Sequence, residues 1–136
     1  LADPQALPLA VATAEAVAQI GMPEGRIPLA EATIYLALAP KSNSAYTAIN
    51  QALEDVRNGL LSDVPKALRS SNYGLAKTIG NGAGYLYPHD DSRAVVPQKY
   101  LSSKLLKARY VQLRSLGFEA QLAERWVKLR QIIRGE

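Results

Sequence analysis

The sequence contains no cysteine. That excludes disulfide stapling, thiolate metal sites and cysteine nucleophiles together. Histidine occurs once, as His89, beside Asp90 and Asp91. A metal site needs more ligands than one imidazole and two adjacent, diverging carboxylates, and a general base needs an orienting partner that the sequence does not advertise. His89 is therefore expected to fasten a loop. Phe, Trp and Met each occur once. No apolar run is long enough to span a bilayer without an intervening polar residue or proline. The start, Leu1-Ala2-Asp3-Pro4, has no basic stretch leading an apolar segment, so it does not read as a signal peptide. It opens without Met, and the chain reads as an excised piece of a longer cytosolic protein.

What is present points to helices. The 136 residues are 48% hydrophobic, enough for a packed core in one domain. Ala and Leu dominate, seven Tyr supply most of the aromatic mass, and Ala gives up no side-chain entropy in a helix. The net charge of +4 is unevenly spread. Residues 99–136 hold nine Lys or Arg against three Asp or Glu, whereas residues 1–98 hold seven against nine. Such a basic end suits nucleic acid or an acidic partner, or forms a solvated helix face.

Asp3 as N-cap and Pro4 at the first helical position predict a helix from Pro4 to Ile20, closed by Gly21, with Leu7, Val11, Ala14 and Ala18 on its apolar stripe beside Ala10 and Val17. Pro28 opens a second helix to Ala39, stopped by Pro40. Its Leu29, Ala32, Leu36 and Ala39 share a face that Ile34, Tyr35 and Leu38 widen, a pattern expected of a central helix. Ser42 or Asn43 caps a third helix to about Gly59, with Tyr46, Ile49, Leu53 and Val56 as its buried stripe. Short helices are expected from Pro65 to Arg69 and from Asn72 to Ile79. Residues 80–97 read as one long irregular loop rich in Gly, Tyr and Pro, and Val95, Val96 and Tyr100 suggest an extended segment. Phe118 to Arg134 reads as an amphipathic helix, with Phe118, Leu122, Trp126, Leu129 and Ile133 on one stripe. Arg114, Gln121, Arg125 and Lys128 are expected near one edge of it.

Two nucleotide-like patterns fail. Gly74-Leu75-Ala76-Lys77-Thr78 lacks the glycines that a phosphate loop requires, Ala76 and Ser71 standing in their places. Gly80, Gly82 and Gly84 lack the preceding strand and following helix of a dinucleotide fingerprint, and read as tight turns. Tyr85 and Tyr87, among His89, Arg93 and Lys99, either stack bases or pack the loop onto helices.

Seven segments in order do carry a resemblance. They are Asp3 to Leu7, Ile20 to Ala37, Ala39 to Tyr46, Asp63-Val64-Pro65 with Leu68-Arg69, Gly84 to Asp90, Gly117-Phe118-Glu119, and Glu124-Arg125. Together they resemble the C-terminal region of the replication-associated recombination AAA+ ATPases, the MgsA or RarA family, whose eukaryotic relative is the Werner helicase-interacting protein. The sequence departs from that pattern around Arg109 to Leu113, where the family has paired aromatics and a proline. The resemblance implies an upstream, clamp-loader-like ATPase module that uses ATP and Mg, and a C-terminal region that holds subunits as a homotetramer. It further implies action on DNA at stalled forks, together with single-stranded-DNA-binding protein, in the cytoplasm at the nucleoid.

The sequence thus predicts an all-α helical bundle with short helices and one long irregular Gly/Tyr/Pro loop. Residues 1–116 form a helical oligomerisation domain, and 117–136 a C-terminal helix packed on it or leading into a further segment. No catalytic, metal or cofactor residue is expected in this chain. Ile34, Tyr35 and Leu38 are the candidate oligomer contacts. Arg114, Arg125 and Lys128 are the candidate contacts to nucleic acid or a partner. The competing function is direct binding of single-stranded DNA or an acidic partner through the basic end and the Tyr-rich loop.

Overall fold

The computed structural model describes residues 1–60, 63–76 and 78–135. Among these the fold is all-α: α1 (Ala6–Ile20), α2 (Arg26–Leu38), α3 (Ser44–Arg57) and α4 (Phe118–Arg134), with single 3-10 turns at Lys66–Leu68, Pro88–Asp90 and Ser103–Leu105. The residues group into two units. One comprises 1–46 and 113–123, the other 47–112 and 124 onward.

In the first unit, α1 and α2 pack as a hairpin. Asp3 does not cap α1 directly. Its Oδ1 accepts the Gln5 amide at 2.8 Å, and the helix begins at Ala6, two residues later than Pro4 predicts. Pro8 sits in the first turn, where its missing N–H costs no helical bond. Gly25 supplies the close approach between the two helices. A Cβ there would meet the Gly21 carbonyl oxygen at 2.8 Å and Val17 Cγ1 at 3.3 Å. The inward line of α1 is Leu9, Ala10, Thr13, Ala16 and Val17, with Thr13 buried at its centre. The predicted stripe holds only in Ala10 and Val17, because Leu7, Val11, Ala14 and Ala18 face solvent. An Ala-rich helix carries two apolar stripes, and its period alone does not choose between them.

α2 starts two residues before Pro28 and ends at Leu38, where the Lys41 ammonium donates to the otherwise open carbonyls of Leu36 and Ala39. Ala32 is buried and Leu36 half-buried as the spacing predicts, but Leu29 is exposed. The helix is not central. Ile34 and Leu38 are 61% and 82% exposed, so its wide apolar surface is open rather than enclosed.

The second unit contains most of α3 and α4 with the long connection between them. Gly80, Gly82 and Gly84 adopt φ near +75° in consecutive turns, as expected of a glycine-rich loop. The described residues between Asn72 and Ile79 form turns and bends rather than a helix, and no strand forms at Val95, Val96 and Tyr100. What organises the loop is polar. Buried Gln98 accepts the Leu86 amide at 2.8 Å, and buried Asn81 donates to the Tyr73 hydroxyl at 2.7 Å. Asp91 holds Arg93 through two side-chain bonds, which lower the Asp91 carboxyl to about 2. His89 does not fasten the loop. It is exposed and meets the Tyr87 ring at 5.1 Å. Tyr85 and Tyr87 are exposed as well.

No Leu, Ile, Phe, Tyr or Trp among the described residues is buried. The expectation of a well-packed single-chain core is not met.

Candidate self-association surface

The first unit is closed by a carboxylate. Gly117 breaks the chain immediately before α4 with φ +54°, where an added Cβ would stand 2.1 Å from the Ala2 carbonyl oxygen and 2.8 Å from Pro40 Cγ. This places Phe118 so that its amide donates to Ala2 O at 2.8 Å, and turns Glu119 inward. Glu119 is fully buried, and its charge is met by donors: the Ser42 and Ser44 hydroxyls and the Arg114 amide, the last at 2.9 Å. The Ser42 bond leads in holding its carboxyl down at about 2, with Ser44 next, against the opposing effect of burial. Ser42 Oγ also accepts the Ser44 amide at 3.1 Å, a turn bond at the start of α3, so the residue that leads into α3 also anchors α4.

The same unit carries a groove of about 620 Å³ along α2, lined by Ile34, Tyr35, Leu38 and Ala39, with Asp3 and Glu31 at its edge. The predicted contacts Ile34, Tyr35 and Leu38 therefore do come together on one open surface. Tyr35 is a fixed wall of it. Its hydroxyl donates to Asp3 Oδ2 at 2.8 Å, a bond that, with lesser burial and charge effects, raises its pKa.

α3 is turned the opposite way from the prediction. Its inward line is Ser44, Ala48, Ala52 and Asp55, all small or hydrogen-bonded. Asp55 accepts the Tyr110 hydroxyl at 2.7 Å, which ties Tyr110 to α3. Tyr46, Ile49, Leu53 and Val56, expected in the core, are 70%, 55%, 41% and 43% exposed. Their spacing sets them on one face of the helix. Continuous apolar faces of this kind mark surfaces that another molecule covers.

The three predicted cationic contacts separate. Arg114 precedes α4 rather than lying on it, and donates to Asn43 Oδ1 at 2.9 Å, so it belongs to the clasp around Glu119. Arg125 and Lys128 are exposed on α4. Trp126 is half-buried, with the Arg134 guanidinium 5.9 Å from its ring centre. Lys77 of the failed phosphate-loop segment lies outside the described residues.

The model of the MgsA AAA+ ATPase C terminal matches residues 1–130. The chain belongs to that family. It is 46% identical over 98% of its length to an uncharacterised AAA domain-containing protein of Mycobacterium tuberculosis, covering 30% of that protein. It is 43% identical over 95% of its length to replication-associated recombination protein A of Bacillus subtilis, covering 31% of it. The protein of that name from Escherichia coli K12 is 37% identical over 91% of the chain, which covers 28% of it. The chain thus spans about a third of the length of these relatives.

Reading the residues singly misses Glu119, Ser42 and Ser44. Their signals were present: two serines spaced by one residue before an amphipathic run, and an acid in the first turn of a helix after Gly. What the sequence does not supply is that the two signals meet across 75 positions.

Proposed function

We propose that this chain is the assembly domain of a longer AAA+ ATPase that works in replication-associated recombination, and that it joins subunits as a homotetramer. The outward apolar stripe of α3, Tyr46, Ile49, Leu53 and Val56, carries the reading. An amphipathic helix gains stability from burying that side, and here small and polar residues occupy the inward side instead. The α2 groove at Ile34, Tyr35 and Leu38 gives a second surface of the same character. Two distinct self-complementary patches are what a tetramer built from pairs of dimers requires, since each two-fold contact uses its own patch.

In this reading the upstream module binds ATP and Mg and engages DNA at stalled forks with single-stranded-DNA-binding protein, in the cytoplasm at the nucleoid. The C-terminal domain sets how many such modules act together. The names of the bacterial relatives support the recombination role. Size-exclusion chromatography with light scattering on the chain tests the assembly claim. The expected mass is about four times 14.7 kDa; a monomer across the accessible concentration range would overturn it.

A further inference from the structure

The second unit holds a groove of about 580 Å³ at the C-terminal end of α4, within the usual range for a ligand site. Its floor is aliphatic: Leu101 and Leu106 from the connection, Ile132 and Ile133 from the helix. Its edge carries Lys99, Lys107 and Arg134, and none of its described lining residues is acidic. Lys99 and Lys107 are exposed and make no hydrogen bond or ion pair with another described residue. Arg134 is held in place. Its guanidinium lies 5.9 Å from the centre of the Trp126 ring and bonds the Ala108 carbonyl at 3.5 Å.

We infer that this groove binds an acidic peptide segment through one large apolar side chain, inserted between the leucines and isoleucines, with neighbouring carboxylates on the three cations. Charge complementarity chooses the occupant. Three positive groups around an apolar floor, with no carboxylate among the described lining residues, disfavour a basic or neutral segment and lower the cost of bringing in an acidic one. The carbonyl end of α4 opposes an anion by only about half a charge. Single-stranded nucleic acid fits the edge but not the floor, because bases stack on aromatic planes and the groove offers one ring, Tyr100. The groove shares no lining residue with the α2 groove or the α3 stripe, so this inference rests on its own residues.

Fluorescence anisotropy on the chain tests it, using a short fluorescein-labelled peptide with several Glu and one Phe. Binding is expected to weaken about tenfold or more when Lys99→Glu and Lys107→Glu are combined, and comparably when the peptide's Phe becomes Ala. Both lysines are exposed, and circular dichroism checks that the variant stays folded. On the unaltered chain, the peptide is expected to move amide NMR signals of residues 99–107 and 132–135. Undetectable peptide binding, affinity indifferent to Phe or to the lysines, or signal changes confined elsewhere would each overturn the inference. So would oligothymidine binding that the lysine changes abolish while the peptide fails to bind, which would assign the groove to nucleic acid.

Discussion

Glu119 shows how a single ionised side chain closes one end of this fold. A buried carboxylate is costly unless donors surround it, and Ser42, Ser44 and the Arg114 amide do so. Because its folded pKa of about 2 lies below the ordinary 4.5, its contribution is fully present above pH 4.5. It fades as acid takes the carboxyl down through 2. Glu119→Gln should cost about 1–3 kcal/mol near neutrality, since an amide N–H then faces the serine hydroxyls. It should also flatten the loss of stability between pH 4.5 and 2; urea melts across that range measure both, and an unchanged slope would remove Glu119 as its cause. Gly117→Ala is the independent check on the same corner. Its Cβ has no room beside Ala2 and Pro40, and φ is positive, so a loss above about 1 kcal/mol is expected in the same melts.

At the scale of helices, legibility divides by what each signal measures. The bounds of α4, Phe118–Arg134, were readable because Gly117 stops the preceding chain and the apolar period runs unbroken after it. The extents of α2 and α3 were readable within a few residues from their prolines and serines. Facing was not. Period tells that α3 has an apolar side, but not whether its own chain or another copy covers it. In α1 two Ala-rich stripes competed, and the Gly25 contact decided between them. That Ile34, Tyr35 and Leu38 share one open surface was legible because they exceed one stripe.

These facings predict opposite outcomes for substitutions on the two sides of α3. Leu53→Glu, on the exposed side, should leave the helix content by circular dichroism intact while reducing the oligomer mass. Ala52→Leu, on the inward side, should destabilise the fold by roughly 1–3 kcal/mol through overpacking. If Leu53→Glu unfolds the chain while Ala52→Leu is neutral, the facing assigned to α3 is wrong. On α4, Trp126 is only half-buried, so Trp126→Ala should cost about 1–3 kcal/mol, less than the roughly 3–5 of an enclosed ring.

For the whole molecule the decisive quantity is surface. A chain that leaves its large apolar residues open gains stability when copies cover them, and that gain follows mass action. For a tetramer that unfolds to monomers, each tenfold dilution removes about 1 kcal/mol per protomer, three-quarters of the 1.4 kcal/mol that a factor of ten represents. In a chain of this size 1 kcal/mol moves the melting midpoint by roughly 3–4 °C. The midpoint should therefore fall by that amount for each tenfold dilution, and the dependence should shrink in Leu53→Glu, which keeps only the α2 contact: a dimer loses about 0.7 kcal/mol per protomer per tenfold dilution, half of the 1.4 kcal/mol. Differential scanning fluorimetry over two decades of concentration measures it. A midpoint independent of concentration in the unaltered chain would mean that the exposed faces of α2 and α3 are covered by something other than a second copy.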